Sequence, residues 1–121
     1  NLLELILKGV DMFDCVMPTR NARNGMLFTS QGVLHYKAAR YAQMIEEAID
    51  HHCGCSTCRQ FSKDYLRHLF NAKEILALSL SSIHNLHFYL KLMEQAREKI
   101  ENDSFESWAH EQIQVLQQKA P

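Results

Sequence analysis

Three cysteines fall within six residues at Cys53-Gly54-Cys55-Ser56-Thr57-Cys58. Thiols packed that closely suit tetrahedral Zn2+, which takes thiolate and imidazole ligands at about 2.0–2.3 Å. Gly54 is expected to let the backbone turn tightly between the first two. A fourth ligand must come from elsewhere. His84 is a good candidate, 26 residues past Cys58 near the start of a long helical pattern, with His51, His52, His68 and His87 as competitors. Disulfide pairing is the alternative, and an odd cluster of three without a secretory signal weighs against it. A Cys3His set would be closed and structural, tying the knuckle to the long helix.

A second group of residues could do covalent chemistry. Asp11 and Asp14 lie in the apolar run Val10–Val16, which suits a buried strand of a parallel sheet. A carboxylate inside such a strand is costly unless it is paired or functional. Active sites of parallel α/β folds collect at strand C-terminal ends, and Asp14 is the nearer of the two to that end. An aspartate there can act as nucleophile at an anomeric carbon; otherwise both carboxylates accept hydrogen bonds from buried backbone or arginine. Cys15, in the same run, is expected to be a small buried hydrophobe. Arg20 and Arg23 follow at once, and planar guanidinium groups suit phosphate and base edges; solvation or ion pairing of a loop is the plainer alternative.

Elements that would position these groups can be traced along the chain. Leu2, Leu3, Ile6 and Leu7 recur at helical spacing and Gly9 stops the helix. Pro18 ends the strand, and Thr19–Gly25 has loop composition. Met26–Thr29 and Val33–Tyr36 flank the turn-like Ser30-Gln31-Gly32, predicting a hairpin. Tyr41–Ile49 is either helical or irregular. Ser62 precedes a helix with Tyr65, Leu66, Leu69 and Phe70 on one face. Ile83, Leu86, Leu90, Met93, Arg97 and Ile100 step by three or four, predicting one long helix with a buried stripe that Asn102 closes. Asp103 and Glu106 resemble a capping box for a last helix over about Ser104 to Gln118, with Phe105, Trp108, Ile113 and Leu116 buried.

The 121 residues suffice for one small domain or part of a larger one, and 46% hydrophobic with 22% charged residues is ordinary for a globular chain. Because it starts at Asn1 within a helical pattern, a fragment is expected. No run approaches a membrane span, and Leu2–Leu7 carries Glu4 and no cleavage site, so a cytoplasmic location and no membrane partner are expected. Net charge is -1, yet residues 20–73 hold eight Lys/Arg against four Asp/Glu. A basic middle between acidic ends points to an anionic partner there, or to a mixed solvated surface.

Taken together, Asp11-Met12-Phe13-Asp14-Cys15-Val16-Met17-Pro18-Thr19-Arg20-Asn21-Ala22-Arg23-Asn24-Gly25 closely resembles the signature of the tRNA-guanine transglycosylases. Cys53-x-Cys55-x-x-Cys58, followed by His84 in Ile83-His84-Asn85-Leu86, is similar to that family's zinc pattern, and Asn-Ala-Arg-Asn-Gly resembles bacterial members. His51 stands where a proline is common. The resemblance implies an α/β fold, the C-terminal segment of a TIM (β/α)8 barrel with an inserted zinc-binding subdomain. Residues 1–24 would be the last barrel helix, strand and active-site loop, residues 25–100 the zinc subdomain, and residues 101–121 the closing barrel helix. It implies a pentosyltransferase that exchanges guanine at the tRNA wobble position for 7-aminomethyl-7-deazaguanine (preQ1) in queuosine biosynthesis. Asp14 would be the nucleophile on ribose C1′. Thr19, Arg20, Asn21, Ala22 and Arg23 would contact RNA, and one structural zinc would sit on Cys53, Cys55, Cys58 and His84. The implied partners are tRNA, a 7-deazaguanine-type nucleobase and a second copy in a homodimer. The family's general acid/base and most of its base pocket lie in its N-terminal half, so this segment alone is expected to be inactive. The competing expectations are a non-enzymatic zinc-dependent RNA-binding module and a silent paralogue subunit.

Overall fold

The hairpin organises the chain. In the computed structural model, which describes all 121 residues, β1 (Met26–Thr29) and β2 (Gly32–His35) pair antiparallel in the register Met26↔His35 to Thr29↔Gly32. Gly32 holds φ +126, a left-handed conformation that favours glycine. Phe28 and Val33 face each other in this register, and the backbone groups of both bond away from the pair. Those of Val33 meet the C-terminal tail: its N–H donates to Gln118 O and its carbonyl accepts from Ala120 N, each at 2.9 Å. Those of Phe28 meet the long helix.

Around the hairpin lie α1 (Leu2–Leu7), α2 (Met17–Arg23), a 3-10 turn (Ala39–Gln43), α3 (Ser56–Gln60), α4 (Lys63–Asn71), α5 (Ile75–Glu101) and α6 (Phe105–Gln117). The 27-residue α5 is the spine, about 40 Å long at 1.5 Å per residue. The main core joins Leu27, Leu34, Tyr36, Tyr41, Leu66 and Leu80 with the knuckle cysteines Cys55 and Cys58. Full burial of a large apolar side chain stabilises by roughly 1.5–3 kcal/mol, so these residues hold the hairpin, α4 and the first half of α5 as one body. A smaller cluster of Leu3, Leu92 and Ala96, flanked by Phe105, Trp108 and Leu116, packs α1 and α6 on the second half.

The expected hairpin, the α4 start after Ser62 and the α5 stop at Asn102 are present. Five expectations change, the first being burial on α6, where Ala109 is buried and Phe105, Trp108, Ile113 and Leu116 are half-buried. Val10–Val16 is irregular and largely exposed rather than a buried strand, and Cys15 is exposed with it. A parallel strand needs neighbours and cover on both faces, and β1 and β2 are the only strands here. Met17–Arg23 is a helix rather than a loop: Pro18 lies in its first turn, where fixed φ is favourable, and Arg20 and Arg23 sit in its last turn, where cations complement the helix dipole. The stripe of α5 is not buried. Ile83, Leu86, Leu90 and Ile100 are exposed, and α5 instead buries Ala77, Leu80, Ser81, His84, Asn85, Leu92 and Ala96. Finally, Ser104, not Asp103, is the N-cap of α6, and Asp103 takes a left-handed φ of 59 in the turn.

Candidate metal centre and the aspartate segment

The knuckle is built by a helix start. Cys55 is the N-cap of α3, and its sulfur accepts the backbone N–H of Cys58 at 3.4 Å. One helical turn thus brings Cys55 and Cys58 onto the same side, as i and i+3 neighbours must be. Cys53 enters from a turn closed by its N–H to Asp50 O. The backbone brings Cys53 and Cys55 together, and Gly54 between them does so without a left-handed φ. Thr57 donates to Leu80 O at 2.7 Å and pins α3 to α5 one turn before His84.

His84 is fully buried and completes the cluster. Its Nδ1 lies 3.7 Å from Cys53 Sγ, 3.6 Å from Cys55 Sγ and 3.2 Å from Cys58 Sγ. A tetrahedral zinc with ordinary bond lengths would hold sulfur and nitrogen roughly 3.5 Å apart, so these donors are already at zinc spacing. All four ligand atoms lie within 4.8 Å of one another. On the far side of the ring, Nε2 donates to Phe28 O at 2.7 Å. That bond fixes the tautomer and turns the Nδ1 lone pair toward the sulfurs, the usual outer-shell arrangement at a metal histidine. His51, His52, His68 and His87 are exposed and outside the cluster.

Electrostatics of the metal-free cluster fit the same assignment. Burial alone would lower the His84 pKa, but hydrogen bonds to Cys53 and Cys55 outweigh it and push the imidazole up to about 10. Hydrogen bonds from Cys53 and Cys58 hold the Cys55 thiol well below its ordinary range, while Cys53 and Cys55 push Cys58 well above its own. Three sulfurs this close cannot all be anionic without a cation among them, and a bound metal supplies that cation. With four protein ligands the set is closed, the mark of a structural site. Cys53, Cys55, Cys58 and His84 form one structural zinc site.

Two buried polar residues to which the sequence assigned no role support it. Asp50 accepts Ser30 N at 2.7 Å, Ser30 Oγ at 2.8 Å and His52 N at 2.9 Å, clamping the hairpin turn to the knuckle. Burial raises its pKa, and the hydrogen bonds from Ser30 and His52 more than reverse this, leaving it below the usual carboxylate range. Asn85, beside His84, is fully buried and bonds Phe28, Pro18 and Met26. Asp50 immediately precedes the His-His-Cys run, and Asn85 interrupts an apolar helix; those positions were the signals available.

Asp11 and Asp14 are exposed on the irregular segment before α2, and neither enters an ion pair. The buried-acceptor alternative is therefore not realised. On α2, Arg20 and Arg23 are exposed, Thr19 and Asn21 are half-buried and Ala22 is buried against the body. Thr19 Oγ1 donates to Val16 O at 3.2 Å in the first turn. The exposed arginines are three apart, so they share one face. The zinc ligands and the Asp14–Arg23 segment are distinct sites, joined through β1 and α5.

The fold and site define a mixed α/β segment organised by a closed Cys3His zinc site, with an exposed carboxylate and a basic helix leading into it. A family profile described as queuine tRNA-ribosyltransferase matches residues 1–118. The chain is 56% identical over 108 residues to a queuine tRNA-ribosyltransferase from Syntrophobacter fumaroxidans, covering 89% of this chain and 29% of that protein. It is 50% identical over 119 residues to the protein of that name from Aquifex aeolicus, covering 98% and 31%. For the Herpetosiphon aurantiacus protein the values are 51% over 118 residues, covering 97% and 30%. The chain belongs to the queuine tRNA-ribosyltransferase family, the tRNA-guanine transglycosylases, and spans between 29% and 31% of the length of these relatives. No helix is long and apolar enough to cross a membrane.

Proposed function

We propose that this chain is the nucleophile-bearing part of a cytoplasmic tRNA-guanine transglycosylase that replaces guanine at the wobble position with preQ1. One observation carries the reading. The four ligand atoms converge on one point and would leave a bound zinc no open position, so covalent chemistry falls to another group, and Asp14 is an exposed carboxylate beside a basic helix. The Asp14 carboxylate attacks ribose C1′; the C1′–O bond forms as the C1′–N9 bond breaks, and guanine leaves with that electron pair and takes a proton. In the second step N9 of the deazaguanine, having lost its proton, attacks C1′ and releases the carboxylate. The proton carrier and most of the base pocket belong to the other two thirds of the enzyme, and the segment alone is inactive. Thr19–Arg23 contacts tRNA, with Arg20 and Arg23 reaching phosphate or base edges.

In this reading residues 1–24 supply the last barrel helix, strand and active-site loop, residues 25–100 the zinc subdomain and residues 101–121 the closing helix. Val10–Val16 becomes a strand when the neighbouring barrel strands are present. The exposed α5 residues Ile83, Leu86, Leu90 and Ile100, and the apolar groove between Ile6, Val10, Phe13 and Met93, are surfaces for that remainder. The enzyme works as a homodimer. In full-length enzyme, Asp14→Asn is expected to bind tRNA while forming no denaturant-stable tRNA adduct. An adduct trapped by that variant would sink the nucleophile assignment. A second reading, a zinc-dependent RNA-binding module without catalysis, is favoured by the excess of Lys/Arg over residues 20–73. It predicts guanine exchange by no form of the protein, with salt-sensitive tRNA binding that weakens in Arg20→Ala and Arg23→Ala.

A further inference from the structure

We propose that Asn85 is a positioning residue that sets the helix α2 on the zinc-organised hairpin; this rests on the reading of α2 as the element that contacts tRNA. Asn85 lies on α5 directly after the ligand His84 and is fully buried. Its amide oxygen and both amide hydrogens are engaged. Oδ1 accepts Phe28 N at 3.2 Å, while Nδ2 donates to Pro18 O and to Met26 O, each at 3.0 Å. Three backbone groups from two elements therefore converge on one side chain, and they ask for one acceptor and two donors. Among the side chains, only a primary amide offers both at this size. Aspartate keeps the acceptor and presents oxygen to two carbonyls; serine supplies at most one donor.

The position of these contacts gives them a function beyond packing. Pro18 is in the first turn of α2, four residues after Asp14 and two before Arg20. Its carbonyl is the buried handle by which α5 grips the helix. Phe28 is held from both sides by consecutive residues: His84 takes its carbonyl and Asn85 its N–H. The three cysteines would hold His84 through a bound zinc on one side of α5, and Asn85 carries the resulting rotation of α5 to α2 through Pro18 O. The arginines of α2 and the chain leading back to Asp14 thus take their place from an amide adjacent to the metal ligand.

The test uses full-length enzyme with Asn85→Asp and, as the milder change, Asn85→Ser. Zinc per chain is measured by native mass spectrometry, amide exchange without RNA by hydrogen–deuterium mass spectrometry, and guanine exchange by steady-state kinetics. Zinc is expected to stay at one per chain. Exchange over residues 19–24 should rise on the order of tenfold, the loss of one to two buried hydrogen bonds, with residues 77–84 unchanged. The tRNA KM should rise by a similar factor, with kcat reduced less. Asn85→Ser, which keeps one donor, should lie between wild type and Asn85→Asp. Loss of zinc in both variants, a uniform rise in exchange along α5, or unchanged exchange over residues 19–24 would overturn the proposal. The amide-exchange result decides it even if the wild type fails to exchange guanine, an outcome that would instead overturn the proposed function.

Discussion

Replacing His84 separates its two bonds. In His84→Ala both are lost: the Nδ1 ligand to the metal and the Nε2 donor to Phe28 O. In His84→Gln the longer amide reaches the Nε2 position, keeps the donor to Phe28 and supplies no nitrogen among the sulfurs. Structural zinc binding is worth about 10–16 kcal/mol across a four-ligand site, so an equal share is roughly 3 kcal/mol per ligand, about a hundredfold in affinity. Both variants should therefore lose zinc affinity by that order. They should differ in the metal-free state, because the alanine leaves a buried carbonyl unsatisfied at a cost of about 1–3 kcal/mol. Competition against a zinc chelator reads the first quantity, and urea unfolding of the metal-free proteins reads the second. In the metal-free chain burial lowers the His84 pKa, but Cys53 and Cys55 raise it further, to about 10. Zinc must then displace a proton there at neutral pH, and affinity should fall by at least about tenfold per unit as pH drops. Wild-type affinity in either variant would refute the ligand assignment. Equal metal-free stability of the two variants would refute the role given to Nε2.

Two further outcomes follow from buried contacts. Asp50→Asn should lower stability at pH 7 by about 1–3 kcal/mol, since it weakens a charge-assisted clamp on Ser30 and His52. The Asp50 pKa is depressed on folding, so the gap between wild type and variant should be complete above the unfolded carboxylate pKa of about 3.9 and close as pH falls through the folded value. A gap that stays constant to pH 2 in urea melts would contradict this. Gly32→Ala should cost about 1–3 kcal/mol from backbone strain alone and detach the tail, because the added methyl would lie 2.5 Å from Gln118 O. Amide exchange at Ala120 matching wild type would show that no such crowding exists.

Local chemistry was legible in the sequence where it was dense. Three thiols in six residues have few uses, and the metal set with His84 followed from them together with the family resemblance. Turn composition at Ser30–Gly32 fixed the hairpin. Features that depend on distant partners were not legible. Periodicity found the stripe Ile83, Leu86, Leu90 and Ile100 on α5, but it does not say which chain covers a stripe, and within these residues nothing does. The face that is buried carries Ser81, His84 and Asn85, whose polarity disguised it; each is matched by a partner on the hairpin, on α2 or, for Ser81, at Tyr36 just past β2. Thr19–Gly25 has the composition of a loop because its apolar contribution to the body is one residue, Ala22. Val10–Val16 has the composition of a strand, and without neighbours to pair with it stays irregular.

The tail on β2 has a bearing on how this chain is made. An open strand edge is a template for pairing with another chain, and a two-stranded hairpin has two of them. Side chains of α5 close the β1 edge at Phe28, and the backbone of residues 118–120 closes the β2 edge at Val33, with Arg40 and Tyr41 holding Ala120 O. On a ribosome the hairpin emerges long before either guard. For the interval in which α5 and then the tail are still being synthesised, Leu27, Phe28, Val33 and Leu34 form a short sticky ribbon. Nascent chains stalled after α5 should therefore depend on chaperones more than those that also carry residues 118–120.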